Sequence, residues 1–375
     1  APESLCLKLL ETEDALIPDG LHVVGQPLSD AARNEYLDLM AHTDDDARAR
    51  ADALLQRGTE LAGIMHALDA RFPLPGAGGE LIRSPDILPT GRNIHAFDPF
   101  RMPTAYACRD GAKQAQLLLE THPTLPRSIA LVLWGSDNIK SDGGPIAQAL
   151  ALMGCSPRFD SFGRLAGADL ISLEELGRPR IDVIMTLSGI FRDLLPLQSR
   201  MLAEAALKCA EADEPLDQNF IRAHALAYAE TQQCDLATAA LRVFSNAEGA
   251  YGSNVNQLVD SSAFGEEDEL ADAYETRKSF AYGVDGKSAA NPKLLQQALA
   301  DVELAYQNLE AVELGVTSVD HYFDTLGGIA RAVKRARGSD AAVYIGDQTR
   351  GAAKVRTLKD QVALETRSRA LNPKF

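Results

Sequence analysis

Three short apolar runs that admit almost no polar residue set the tightest limit on what this chain can fold into. They are Ser128-Ile129-Ala130-Leu131-Val132-Leu133-Trp134, Ile181-Asp182-Val183-Ile184-Met185-Thr186 and Ala341-Ala342-Val343-Tyr344-Ile345. Each is too short for a buried helix and is continuous rather than alternating, as expected of a strand covered on both faces. Helical patterns separate or follow them, over Cys108 to Thr121, Pro145 to Met153, about Phe191 to Glu211, and about Thr357 to Ala370. Strand, helix, strand, helix predicts an α/β fold of mostly parallel sheet segments with flanking helices.

Other stretches predict a substantial all-helical portion beside that sheet. From Ser29 to Ala70, Leu37, Leu39, Met40, Leu54, Leu55, Leu61, Met65 and Leu68 recur at three- and four-residue spacings, which suits a supporting helical pair. Pro215 to Ala281 reads as mainly helical, broken by the Gly- and Asn-rich stretch Ser245 to Asn256, and Leu294 to Leu309 reads as helix again. Between Arg71 and Pro103 the chain is crowded with Pro73, Pro75, Pro85, Pro89, Pro99 and Pro103, with glycines among them. A segment so punctuated is a linker or a functional loop laid over a scaffold, and its polar centre, Thr90-Gly91-Arg92-Asn93-Ile94-His95, favours the loop. The resulting plan is a helical segment over 1–70, the Pro/Gly-rich functional loop over 71–105, an α/β portion over 106–212, a mainly helical portion over 213–312, and an α/β continuation with a terminal helix over 313–375.

Charge and cysteine usage narrow the function classes. With 375 residues, 46% of them hydrophobic, the chain can bury a sizeable core, and its net charge of −16 repels phosphate backbones and anionic membrane surfaces. Cys6, Cys108, Cys155, Cys209 and Cys234 are odd in number and form no C-x-x-C pair, which suits a reduced, cytoplasmic protein without structural zinc. The first residues lack a signal-peptide pattern, and no apolar run approaches the roughly 20 residues that span a bilayer.

In open α/β sheets ligands bind beyond the carboxyl ends of the strands. The three strand candidates end in Trp134-Gly135-Ser136-Asp137-Asn138, in Leu187-Ser188-Gly189-Ile190-Phe191-Arg192-Asp193, and in Gly346-Asp347-Gln348-Thr349-Arg350-Gly351. Each loop carries a carboxylate, two carry an arginine, and the plain alternative is that Ser and Asp cap the helices that follow. A phosphate loop, G-x-x-x-x-G-K-S/T, is missing: Gly346 and Gly351 are followed by Ala352 and Ala353, so the chain is not expected to hydrolyse ATP. Of seven histidines, His66 and His224 lie in helical patterns and read as structural, whereas His95 and His321 stand beside loop carboxylates. Acidic loops without cysteine ligands suit a hard ion such as Mg²⁺ better than zinc.

Read as strings, the loops are more specific than their composition. Leu88-Pro89-Thr90-Gly91-Arg92-Asn93-Ile94-His95-Ala96-Phe97-Asp98-Pro99, Leu173-Glu174-Glu175-Leu176-Gly177-Arg178-Pro179-Arg180-Ile181-Asp182-Val183, Ser188-Gly189-Ile190-Phe191-Arg192-Asp193 and Gly20-Leu21-His22-Val23-Val24-Gly25 resemble blocks shared by the large subunits of magnesium chelatase and cobaltochelatase. Leu133-Trp134-Gly135-Ser136-Asp137-Asn138-Ile139-Lys140, Ala212-Asp213-Glu214-Pro215-Leu216-Asp217-Gln218-Asn219-Phe220, the stretch Val243 to Asn256, and Arg277-Lys278-Ser279-Phe280-Ala281-Tyr282 resemble the magnesium enzyme in its bacteriochlorophyll form. The resemblance runs over essentially all 375 positions, while the family's large subunit is several times longer, so a portion of such a protein, not a complete chelatase, is expected.

The resemblance implies a porphyrin-binding protein that places Mg²⁺ into protoporphyrin IX, with ATP bound and hydrolysed by its partners, the I and D ATPases of the AAA+ class. Insertion replaces two pyrrole N–H protons by the ion, which calls for a base, for oxygen ligands that strip water from Mg²⁺, and for guanidinium groups facing the propionates. On that chemistry His95 and His321 are candidates for base or axial ligand, and Glu365 is a further catalytic candidate. Asp137, Asp193 and Asp347 are candidates for metal delivery. Arg92, with Asn93 beside it, Arg192 and Arg367 are candidates for substrate binding. Trp134, Phe191, Tyr251 and Phe323 either wall the macrocycle or pack the core. A cobaltochelatase-type protein acting on a corrinoid precursor, and a non-catalytic docking scaffold for the ATPase ring, are the alternatives.

Overall fold

Each of the three apolar runs becomes a strand of one eight-stranded sheet. The computed structural model describes residues 2–15, 24–26, 28–39, 44–77, 87–311, 315–349 and 353–372, so Gly20 to Val23 of the first family-like block and Arg350 and Gly351 of the third loop lie outside the described residues. It forms two compact units, the first made of Ala1–Asp98, Ile139–Ser141 and Thr366–Phe375, the second of Pro99–Asn138 and Asp142–Glu365.

In the first unit the expected helical stretch is α1 (Pro2–Ala15), α2 (Asp30–Leu39), α3 (Asp45–Leu55) and α4 (Thr59–Leu68). Asp44 starts α3 by accepting the Ala47 N–H at 2.7 Å, satisfying one of the amides that a helix start leaves unpaired. A small core of Leu37, Ala51 and Leu88, flanked by Leu54 and Leu55, joins α2 and α3 to the Pro-rich segment. That segment is not loop throughout: β1 (Pro75–Ala77) and β2 (Asn93–Ala96) pair in parallel.

The second unit begins with α5 (Ala105–Thr121), β3 (Ser128–Leu133), α6 (Gly135–Lys140) and α7 (Gly144–Met153). A hairpin of β4 (Cys155–Phe159) and β5 (Leu165–Leu170) follows, then α8 (Leu173–Leu176), β6 (Asp182–Leu187), α9 (Gly189–Leu194) and α10 (Pro196–Glu211). The expected long helix from Phe191 breaks at Leu195 because Pro196 cannot continue the hydrogen-bond ladder and instead starts α10. Next come α11 (Phe220–Gln232), α12 (Leu236–Ala239), β7 (Val243–Ser245), α13 (Val255–Asp260), α14 (Glu267–Lys278), β8 (Phe280–Tyr282), β9 (Ser288–Ala290) and α15 (Pro292–Ala300). The unit closes with β10 (Leu304–Leu309), a π-helical turn over Tyr322–Gly327, α16 (Gly328–Arg337), β11 (Ala342–Asp347), β12 (Lys354–Thr357) and α17 (Leu358–Glu365).

The sheet runs β12-β11-β10-β3-β6-β7-β8-β9, with β11, β10, β3, β6 and β7 mutually parallel and the outer strands antiparallel. All six residues of β3, β6 and β10 are buried, as helices on both faces require. The fold class matches the α/β expectation, with one correction of substance. Leu304 to Leu309, read as the end of a helix, is β10, which lies next to β3. Helix α15 stops at Ala300, and the polar Gln307 and Asn308 disguise a strand whose backbone is paired on both sides. The strands β7, β8 and β9 likewise interrupt a stretch read as helical; at three residues each they are below what periodicity resolves.

Candidate active site

Starting at β3, the chain moves outward through β6 to β7 on one side, then returns to place β10 on the other side of β3 and moves out to β11. The carboxyl ends of β3 and β10 are therefore the topological switch point, where loops diverge and leave a crevice.

Trp134 follows β3 directly and is 7% exposed. Its indole meets the His321 imidazole edge to face, 5.7 Å between centroids at 81°, and lies 4.9 Å from the Tyr322 ring. Tyr322 in turn donates its hydroxyl to the Asn308 carbonyl, just inside the end of β10, at 3.3 Å. His321 is the entry to the π-helical turn and has its side chain 68% exposed, with Nδ1 2.8 Å from Asp320 Oδ1. The other oxygen of Asp320 accepts the Asn256 amide at 2.7 Å. These bonds, Asn256 first and His321 after it, hold the Asp320 carboxyl below its ordinary range against the opposing effect of burial. Asp324, one turn on, receives the Ser253 and Asn256 backbone amides at 2.8 and 3.1 Å, so the π-helical turn is bolted to the loop after β7. π-Helical turns recur at functional sites.

A second group of side chains gathers at the ends of β6 and β7. Ser188 caps α9 through the Phe191 N–H and also accepts the Gly135 N–H at 3.2 Å, joining the loops after β6 and β3. A Cβ on Gly135 would stand 2.8 Å from the Phe191 nitrogen, so only glycine lets these loops approach so closely. Arg192 is 6% exposed and directs Nη1 to the carbonyls of Ala247 and Ala250 at 2.6 and 2.9 Å. Its Nε contacts Asp193 at 2.7 Å, and Asp193 also accepts the Tyr251 hydroxyl at 2.5 Å. The Arg192 guanidinium and then the Tyr251 hydroxyl hold the Asp193 carboxyl below the usual carboxylate range, with partial burial working against them. Beneath this loop Lys278, 1% exposed, donates to Asn246 Oδ1 at 2.7 Å and to the Leu187 carbonyl at 3.2 Å; burial lowers its pKa to about 8. A cavity of about 450 Å³ opens beside Arg192, Asp193, Arg200, Glu248, Tyr282 and Asp285. That volume falls in the roughly 300–1,000 Å³ range of small-molecule sites.

The remaining sequence candidates are placed as follows. Asp137 lies in α6 at 4% exposure. Asp347 ends β11 and is held by Arg356 at 2.9 Å and by the Thr349 amide and hydroxyl at 3.0 and 2.6 Å. Glu365 is 1% exposed and accepts the amides of Val316 and Thr317, the Thr317 hydroxyl and the Gln361 side chain. Thus Trp134 and His321 meet at the switch point, Arg192 and Asp193 line the cavity, and Asp193, Asp347 and Glu365 all have both oxygens engaged by neighbouring groups. Arg92, Asn93, His95 and Arg367 belong to the first unit. There Arg92 folds back on the carbonyls of Pro89 and Ile87 at 3.0 and 2.5 Å, and Arg367 donates to the Thr12 hydroxyl at 3.0 Å. Asn93 and His95 contribute backbone to β2, and their side chains lie outside the described ones.

The sequence marks Asp320 as a carboxylate beside His321 and gives no role to Asn256, Arg200 or Lys278, whose partners lie far away in the chain. His224 fits its structural reading: its Nδ1 lies 2.9 Å from Asp182, which also binds Arg242 at 2.7 Å, at the amino end of β6. Among the described residues no three His, Cys, Asp or Glu side chains converge as a metal ligand set, and no helix is long and apolar enough to cross a membrane.

Known proteins resemble the chain along most of its length. Residues 44–375 match the family described as CobN/Magnesium Chelatase. The H subunit of the magnesium chelatase of Cereibacter sphaeroides is 71% identical over 374 residues, covering 100% of this chain and 31% of that protein. The CobN component of the aerobic cobaltochelatase of a Sinorhizobium species is 34% identical over 330 residues, covering 84% of the chain and 26% of that protein. Among solved structures, the catalytic subunit of cobaltochelatase from Mycobacterium tuberculosis superposes with a TM-score of 0.85 at 28% identity, over 98% of the chain and 38% of that protein. The chain therefore spans about a third of the length of these relatives, and it belongs to the CobN/magnesium chelatase family.

Proposed function

We propose that the chain is the region of an H-type magnesium-chelatase protein that takes part in inserting Mg²⁺ into protoporphyrin IX for bacteriochlorophyll synthesis, while its AAA+ partners, the I and D ATPases, hydrolyse ATP. The observation that carries this reading over cobalt insertion is the 71% identity to the C. sphaeroides magnesium-chelatase protein, against 34% to CobN. The missing phosphate loop agrees with ATP being handled by a partner.

At the site, His321 is the proton acceptor, because its imidazole is exposed at the switch point and one nitrogen is already engaged by Asp320. Asp193 is the carboxylate best placed to meet an incoming hydrated ion, since its side chain is 40% exposed at the cavity, whereas Asp137 and Asp347 are more enclosed. Mg²⁺ releases water reluctantly, so a carboxylate that stays ionised, as Asp193 does beside Arg192, assists the exchange. Arg192 directs Nη1 to loop carbonyls and Nε to Asp193, and Arg200, whose Nη2 donates to the Asp285 carbonyl, is the second guanidinium of the same cavity available to a propionate.

The test uses the full-length protein with its ATPase partners and ATP. Protoporphyrin fluorescence should be quenched on binding, and Mg-protoporphyrin should accumulate only when all components are present. Insertion of Co²⁺ into a corrinoid precursor with no reaction on protoporphyrin would assign the chain to the cobalt enzyme instead. Full activity retained in a protein carrying His321→Ala, Asp193→Ala and Arg200→Ala together would reduce this region to a scaffold.

A further inference from the structure

We infer that Asp320 and Asn256 are positioning residues that fix the tautomer and aim of His321, so that its Nε2 faces the tetrapyrrole as a lone pair. This rests on the reading of His321 as the proton acceptor and extends it to two residues on different elements.

The argument is one of hydrogen-bond inventory. An ionised carboxylate only accepts, so the His321 Nδ1 facing Asp320 Oδ1 at 2.8 Å carries the hydrogen, and Nε2 is left with its lone pair. Asp320 is in turn steered by the Asn256 amide on Oδ2 at 2.7 Å, which leaves Oδ1 for the imidazole. Asn256 is itself held in place. Asn256 belongs to α13, whose first turn is pinned when its own backbone amide and that of Ser253 bind the buried Asp324 carboxylate. Trp134 blocks one side of the ring by its edge-to-face contact. Base, orienting carboxylate and a further hydrogen bond form the arrangement by which enzymes hold an imidazole ready for proton transfer.

The step balances simply. A pyrrole N–H bond breaks, its electron pair stays on nitrogen and becomes a donor to Mg²⁺, and the proton forms a bond to His321 Nε2. The imidazolium keeps its Nδ1–H on Asp320, and its exposure lets it pass the new proton to water before the second pyrrole proton is taken. With the wrong tautomer, Nε2 would present a hydrogen toward a pyrrole N–H and no transfer could begin.

The experiment is steady-state insertion by the full-length protein with its ATPase partners, alongside porphyrin binding by fluorescence quenching. Asp320→Asn should lower kcat about 10–100-fold while KM for porphyrin changes about twofold or less, the size expected when an orienting partner is lost. Asn256→Ala should act in the same direction but less, and Asp320→Glu should recover part of the rate. His321→Gly should lose activity and regain some with added imidazole, whereas imidazole should do nothing for His321→Gly combined with loss of the ATPase partner. If Asp320→Asn retains wild-type kcat, or if kcat falls only together with porphyrin affinity and thermal stability, the positioning role is wrong. If His321→Gly is fully active, the proton-acceptor reading fails with it; if the wild-type protein inserts no Mg²⁺ at all, the failure lies in the proposed function.

Discussion

Glu365 accepts four hydrogen bonds at 1% exposure, two of them from the backbone amides of Val316 and Thr317. Removing such an acceptor leaves its donors without partners, which costs more than the hydrogen bonds themselves contributed. Glu365→Ala should therefore destabilise the protein by about 2–4 kcal/mol, read as a lower urea midpoint, with Glu365→Gln losing less because it keeps a carbonyl oxygen. A variant as stable as wild type would show that the turn at Val316 does not depend on this carboxylate. The sequence marked Glu365 as chemically interesting, and nothing local distinguishes an anchoring glutamate from a reacting one; both read as a carboxylate between Leu364 and Thr366. His321 was more legible, because its aspartate lies next to it in the chain, whereas Asn256 is 64 residues away from Asp320 and left no trace.

At the scale of elements, the loop from Asn246 to Asn254 is held from beneath. Its glycines and asparagines announced irregular backbone, but its rigidity comes from two buried cations beneath it, Arg192 and Lys278, which bind its carbonyl and amide oxygens. Burial lowers the Lys278 pKa to about 8 from 10.5, so between those values the unfolded chain binds more protons than the folded one. The contribution of this lysine to stability thus rises as pH climbs from 8 toward 10.5, and below 8 the folded state bears the cost of the buried charge. Compared with Lys278→Met, the wild type should gain up to about 3 kcal/mol over that interval, measured as the difference between their denaturation free energies at each pH. A difference that stays flat with pH would mean that the folded lysine keeps its proton as the unfolded chain does, its ammonium being compensated by the groups around it.

Across the whole molecule, the second unit is organised by one sheet whose middle strands are shielded by helices on both faces and whose margins are short antiparallel strands. Amide exchange should accordingly be slowest in β3, β6 and β10 and faster in β9 and β12, where most residues are partly or fully exposed. Equal exchange in β12 and β3 would contradict a core centred on the parallel strands. The sequence by itself determined the α/β class, because a continuous apolar run of strand length marks a strand covered on both faces, and such a run is visible without any partner. It also determined the family, through long strings at the loops. The tertiary structure alone decided that Leu304 to Leu309 is the strand beside β3, and so where the switch point falls, because its backbone finds partners only in β3 and β11, and Asn308 finds its own in Tyr306 and Gln148. It likewise decided which partners each carboxylate takes: groups as far apart in the chain as Val316 and Glu365, or Asn256 and Asp320, meet only when the backbone has closed around them.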